Sequence, residues 1–148
     1  MWDMLFTFTN ILALAGWLVL IALPRKQVLL NIVLYIGIGV LCAAYSVLLV
    51  GLGTGVLELG SSGEMAGGLS GYSIDALMQL FQSRGGMVVG WTHYLALDLF
   101  AGLWIAQDAD RRAVSRLAQL AILLLTFLAG PAGLLIWLVV RWRREAVQ

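Results

Sequence analysis

The sequence predicts an all-α integral membrane protein, a transmembrane bundle of four helices, on three observations. Charged residues make up 11% of the 148-residue chain and hydrophobic residues 61%. An ordinary globular domain carries about 25% charge to cover its surface, so much of this surface must face lipid. Four apolar runs reach the roughly 20 residues that a helix needs to cross a bilayer core of about 30 Å. Breaks rich in Arg, Gly or Pro, two of them short and one long, separate them.

The first run is 4–23, ended by Pro24-Arg25-Lys26. It is too long for the apolar core of a secretory leader, and Met1-Trp2-Asp3 offers no basic start, so it reads as a permanent helix. No plastid or mitochondrial transit peptide is expected before it. The second run, 28–52, closes at Gly51 and Gly53. The third, 87–106, opens after Gly85-Gly86 and ends in Gln107-Asp108-Ala109-Asp110-Arg111-Arg112. The fourth, 117–140, ends in Arg141-Trp142-Arg143-Arg144. The whole chain, 1–148, is taken as one transmembrane domain.

A long connection, 53–86, joins the second and third runs. It is rich in Gly and Ser and carries Glu58, Glu64 and Asp75. Within it, 73–81 reads as a short amphipathic helix. Ser73 suits the N-cap, and Ile74, Leu77, Met78 and Phe81 fall on one face. That face is expected to lie on the membrane surface or to fold back as a lid.

The fourth run holds Gly130-Pro131-Ala132-Gly133 at its centre. Proline removes a backbone donor and clashes with the preceding turn, so a kinked helix is expected. A re-entrant hairpin is disfavoured because bare carbonyls in lipid are costly. Charge points the other way. With four spans and the N-terminus outside, the basic residues divide five inside to four outside; a re-entrant fourth segment makes that eight to one, leaving the orientation open.

Net charge is +1, which gives no electrostatic footprint for nucleic acid. The single cysteine, Cys42, excludes an intrachain disulfide. One histidine with scattered carboxylates does not match a zinc site, and phosphate loops and nucleophile elbows are missing. No metal or cofactor is expected.

The polar residues gather on the third run. With Tyr94 at zero and ~100° per residue, Asp108 falls near −40°, Asp98 near +40°, Trp91 near +60° and His93 near −100°. Gly90, Ala101 and Gly102 share this arc. It is expected to be the packed side, with Thr92, Leu95, Ala96, Leu99 and Leu103 facing lipid. Asp98 lies halfway along the span, where a carboxyl costs about 2.5–3.5 kcal/mol to insert; such residues face the bundle and are functional by default. Asp98 is therefore a candidate functional residue, or else a structural hydrogen-bond donor to another helix; His93 is a further candidate, or else bonds a backbone carbonyl. Trp91, Tyr94, Trp104 and Asp108 are the candidates for binding a substrate. Asn10 and Asn31 are expected to bond between helices.

Gly90-Trp91-Thr92-His93-Tyr94-Leu95-Ala96-Leu97-Asp98-Leu99-Phe100, then Trp104-Ile105 and Asp108, resembles the signature of the abscisic-acid-deficient-4-like membrane family. Phe127-Leu128-Ala129-Gly130-Pro131-Ala132-Gly133-Leu134 resembles its closing motif, and Pro24 also fits. The chain looks like a bacterial-type member, integral to the bacterial inner (cytoplasmic) membrane. The resemblance implies a role related to neoxanthin synthesis, in which a cyclic epoxide opens to an allene and a hydroxyl without a redox cofactor. It would make Asp98 the acid that protonates the epoxide oxygen and His93 the base that removes a carbon-bound proton.

The expected function is thus an intramembrane protein that acts on or binds a hydrophobic isoprenoid or carotenoid, with an isomerase-like step as the resemblance implies. Membrane lipids are its expected surroundings. One alternative is a noncatalytic subunit or assembly factor of a larger complex with a membrane-protein partner. A weaker one is an oligomeric proton-coupled transporter, in which Gly37, Gly39, Ala43 and Ala44 would supply a packing face between copies.

Overall fold

The computed structural model describes residues 1–23, 26–57 and 73–145, and all of its regular elements there are helices. Helix α1 spans Trp2–Ala22 and α2 spans Gln27–Gly53, with a π-helical stretch at Val33–Ile38. The short α3 covers Ile74–Gln82 and the long α4 covers Arg84–Arg111. Two further helices follow, α5 at Arg116–Leu128 and α6 at Gly130–Glu145. Helices α1, α2 and α4 are long and apolar enough to cross a membrane.

These three helices pack through small residues that let backbones approach. Leu99 of α4 is the centre. It lies against Gly16 of α1, where an added Cβ would come within 2.7 Å of its methyl, and against Gly37 of α2, at 3.4 Å. Trp17 of α1 occupies the space left by Gly102. A second cluster, Trp2, Leu48, Leu52, Val88 and Val89, closes the end where α1 begins.

Two expectations about α4 need correction. It begins at Arg84 instead of 87, because Ser83 caps it by accepting from the Gly86 amide at 3.0 Å. Gly85 and Gly86 are therefore helical, chosen for close contact with Trp2 and the Leu80 backbone. The packed face is also the reverse of the one expected. Thr92 and Leu99 are 0% exposed, whereas Trp91 is 38% and Tyr94 42% exposed. Ala96 and Leu103 are buried with Thr92. Leu99 on the Leu, Ala and Thr face meets Gly16 and Gly37, while Trp91, His93 and Tyr94 lie outside that core; of the arc, Gly102 does pack, against Trp17.

The third correction concerns the fourth run. It is not one kinked span. The backbone breaks at Ala129 (φ −152°, ψ 78°), and α5 and α6 pack against each other as a hairpin. Gly133 lets them close at the tip, since a Cβ there would meet Thr126. Trp137 and Arg141 return to Asp108, beside the start of α5. The hairpin therefore enters from the end where α4 finishes and comes back to it. The carbonyl cost that disfavours such a turn in lipid is met locally. The Ala129 carbonyl accepts from the Ala132 and Gly133 amides at 2.9 and 3.1 Å, and the Ala129 amide donates to Leu125 at 2.8 Å. Gly130 itself is buried.

The expected amphipathic helix forms as α3, with Ser73 accepting from the Ala76 amide at 3.1 Å. Its Ile74, Leu77, Met78 and Phe81 are exposed, the arrangement of a helix lying in the lipid interface. Most of the Gly/Ser-rich connection, 58–72, and Pro24 lie outside the described residues. Among the described residues, Arg84 is the one basic residue at the end where α1 starts. Lys26, Arg111, Arg112, Arg116, Arg141 and Arg143 belong to the opposite end.

Candidate functional site: an open trough on the long helix

The polar arc of α4 is divided by the hairpin. Over its second half, α6 covers the arc. Asp108 is the hub there, with one oxygen, Oδ2, receiving Arg112 Nε at 3.1 Å and Trp137 Nε1 at 3.2 Å, and with Arg141 Nε 3.8 Å away. The Arg141 guanidinium also lies over the Trp104 ring, 5.7 Å from its centre. Asp108 and Trp104, expected to bind a substrate, thus sit in a clasp that holds α6 to α4.

The hairpin turns back at the level of Asp98. The Gly130 backbone lies against the Asp98 carboxyl so closely that any Cβ at that position would overlap it. Above this point none of the described residues covers the arc, and Trp91, His93, Tyr94, Leu97 and Phe100 are exposed. Asp98 is partly buried and hydrogen-bonded to the Tyr94 side chain one turn earlier.

A neighbouring stripe on α1 turns this exposed stretch into a trough. Asp3, Phe6 and Asn10 recur at helical spacing, as do Arg84, Met87, Trp91, Tyr94 and Asp98 on α4. The stripes meet at three levels. Arg84 Nη1 pairs with Asp3 Oδ2 at 3.1 Å. The Phe6 and Trp91 rings are 6.1 Å apart. Trp91 Nε1 donates to Asn10 Oδ1 at 3.1 Å. Trp91 then stacks on Tyr94, at 5.9 Å and 15° between planes. Phe81 of α3 lies over Gly90, where a side chain would exclude it. At the hairpin end, Phe127 packs edge-on to Trp17 at 5.5 Å.

His93 is on the other flank of the same exposed arc, with its ring 5.1 Å from Tyr45 of α2. Tyr94 stands between it and Asp98, so the two catalytic candidates share a surface without touching along the helix. Asn10 makes the expected bond between helices; among the described residues, Asn31 takes a bond from Gln27 of its own helix instead, at 3.0 Å. Sequence reasoning missed Phe6, Met87 and the Asp3–Arg84 pair. Their signal was the matched 3–4 spacing on two helices, legible only once the two are known to be neighbours. Among the described residues, no group of His, Cys, Asp and Glu is placed to hold a metal ion.

Comparison with known families places the chain. A family model described as ABA DEFICIENT 4-like matches residues 4–137. The chain belongs to this family. It is thereby a membrane protein of a carotenoid-related family, as its signature on α4 implied. No curated protein and no solved structure matches it. The matched residues take in α1 from Met4, α4 and the hairpin tip, so the trough from Phe6 to Gly130 falls within the family region, and Trp2 and Asp3 precede it.

Proposed function

We propose that the protein binds a hydrophobic isoprenoid, a carotenoid or related polyene, in the trough, and carries out an isomerase-like step on its end group. The observation that carries this reading is a polar arc left open to lipid halfway along a membrane-spanning helix. A carboxyl, a phenol and an imidazole facing lipid are costly, and an apolar ligand with a polar end group offsets that cost. An end group seated over Tyr94 would have Asp98 on one side and His93 on the other. Asp98 would deliver a proton to an epoxide oxygen as the ring opens, and His93 would take one from carbon, so the step needs no net electrons. Tyr94 would position Asp98, and the faces of Trp91 and Tyr94 would stack on the conjugated chain.

The basic end of the molecule would face the cytoplasm of a bacterial cell. The trough, which opens toward the other end, would then draw its ligand from the outer leaflet of the cytoplasmic membrane.

Pigment extracts of a carotenoid-producing host test the reading. Expression of the wild-type chain should change the pigment profile; Asp98→Asn and His93→Ala should each abolish the change while the protein stays in the membrane. Mutant profiles identical to that of the wild type would remove both residues from catalysis.

A further inference from the structure

Where α1, α3 and α4 converge, the trough widens into a groove of about 280 Å³ lined by Trp2, Phe6, Phe81 and Met87, with Asp3 and Arg84 at its mouth. It is continuous with the exposed arc. Phe6 meets Trp91, and Phe81 sits on Gly90, so one wall runs from the groove to the hairpin tip. Along α4, Arg84 and Asp98 are about 21 Å apart at ~1.5 Å per residue. A compact ligand spans only one end of such a trough; a long, stiff one touches both.

The chemistry of the two ends differs from that of the middle. The middle is aromatic and apolar. The outer end holds a guanidinium and a carboxylate whose side chains are 64% and 87% exposed, so both retain free hydrogen-bonding capacity beyond their contact with each other. We propose that this groove is a second binding site, taking a hydroxyl-bearing end of the same elongated isoprenoid whose other end lies over Tyr94 and Asp98. The proposal rests on the isoprenoid reading of the trough. Asp3 and Arg84 take no part in the reaction; they fix how deep the ligand sits, and so which part of it reaches Asp98. Phe81, on the interfacial helix, closes the groove from above, and its ring must swing off Gly90 for a ligand to pass from the interface.

The experiment uses the full chain in lipid nanodiscs and two probes, β-carotene and zeaxanthin, which is the same polyene with a hydroxyl on each terminal ring. Bound polyene is followed by its absorption shift and by quenching of tryptophan fluorescence. The wild-type chain should bind zeaxanthin about tenfold more tightly than β-carotene, the effect of one hydrogen bond to a charged group. Arg84→Met should bring the two affinities close together by weakening zeaxanthin far more than β-carotene, and an unchanged circular dichroism spectrum shows that the variant is folded. Met87→Trp, which fills the groove from an exposed position, should weaken zeaxanthin most. Equal binding of both probes by the wild type, or an undiminished preference in Arg84→Met, overturns the groove and leaves the isoprenoid reading standing. Binding of neither probe overturns both.

Discussion

The two halves of the α4 arc carry similar residues and have different fates. Trp104 and Asp108 lie under α6, tied to Arg112, Trp137 and Arg141. Trp91 and Tyr94 lie beyond the hairpin tip and Asp98 lies at it, with α1 on one side and no other described residue in front. What separates them is the point at which the hairpin turns, where Gly130 meets Asp98. A polar residue in a spanning helix is therefore not by itself a functional one. In the covered half it finds its partners inside the chain. In the open half Trp91 bonds Asn10 and Asp98 bonds Tyr94, yet Trp91, His93 and Tyr94 stay exposed, and the proposed ligand would cover them.

The largest expected effect is in the covered half. Asp108→Ala leaves Trp137 Nε1 and two guanidinium groups without their shared acceptor and should cost roughly 3 kcal/mol, in the range for breaking a partly buried charge cluster. Asp108→Asn keeps an acceptor for Trp137 and should lose about half as much. Thermal melts in detergent check both, and equal losses would show that charge alone matters. If the clasp is purely structural, pigment conversion by the surviving folded fraction of either variant is unchanged.

Next comes the boundary. Gly130→Ala places a methyl on the Asp98 carboxyl and should destabilise by about 1–3 kcal/mol through overpacking. Combining it with Asp98→Ser, which vacates the space, should recover much of the loss. Strictly additive melts would mean that the two positions are not in contact.

In the open half, changes that keep the hydrogen bonds should spare stability and alter function. Asp98→Asn keeps a hydrogen-bonding side chain of the same shape and should leave the melting temperature nearly unchanged while ending proton donation. Asp98→Leu forfeits the Tyr94 bond at roughly 1–3 kcal/mol. An Asn variant as unstable as the Leu variant would place Asp98 among the structural residues, with Asp108. The smallest effect belongs to Asn10→Leu. It removes one exposed bond to Trp91, at about 1 kcal/mol or less, and should appear as altered quenching by bound polyene more than as a shifted melt.

Much of the fold was legible. Length and apolarity mark α1, α2 and α4, and Ser73 with the Ile74, Leu77, Met78 and Phe81 face marks α3. The hairpin was legible only in part. Gly130-Pro131 signals a broken helix, but helix breaking alone does not say whether the chain continues or returns. The deciding facts are local satisfaction of the Ala129 backbone and the pull of Asp108 on Trp137 and Arg141, both tertiary. Charge counting did hold the answer, since a return of the tail to its starting side is what gathers its arginines with the rest.

The face of α4 was misread for a related reason. Polar residues in a span are expected to point inward, yet Leu99 is the residue that fits the notches at Gly16 and Gly37. Small residues on neighbouring helices decide which face packs, and they cannot be paired from one helix alone. Asp98 and Tyr94 were recognisable from depth and spacing; the α1 wall of Asp3, Phe6 and Asn10 was not, because its meaning depends on who its neighbour is.

The returning hairpin is what leaves the trough open, and side-specific labelling tests it most directly. In a Cys42→Ala background, single cysteines at Ser73, Ser115 and Arg143 are probed in sealed, oriented membrane vesicles with a thiol reagent that does not cross the bilayer. Ser115→Cys and Arg143→Cys should label from the same side, and Ser73→Cys from the opposite one. Labelling of Arg143→Cys from the side of Ser73 would mean that the fourth run crosses the membrane, and the open trough would not exist as described.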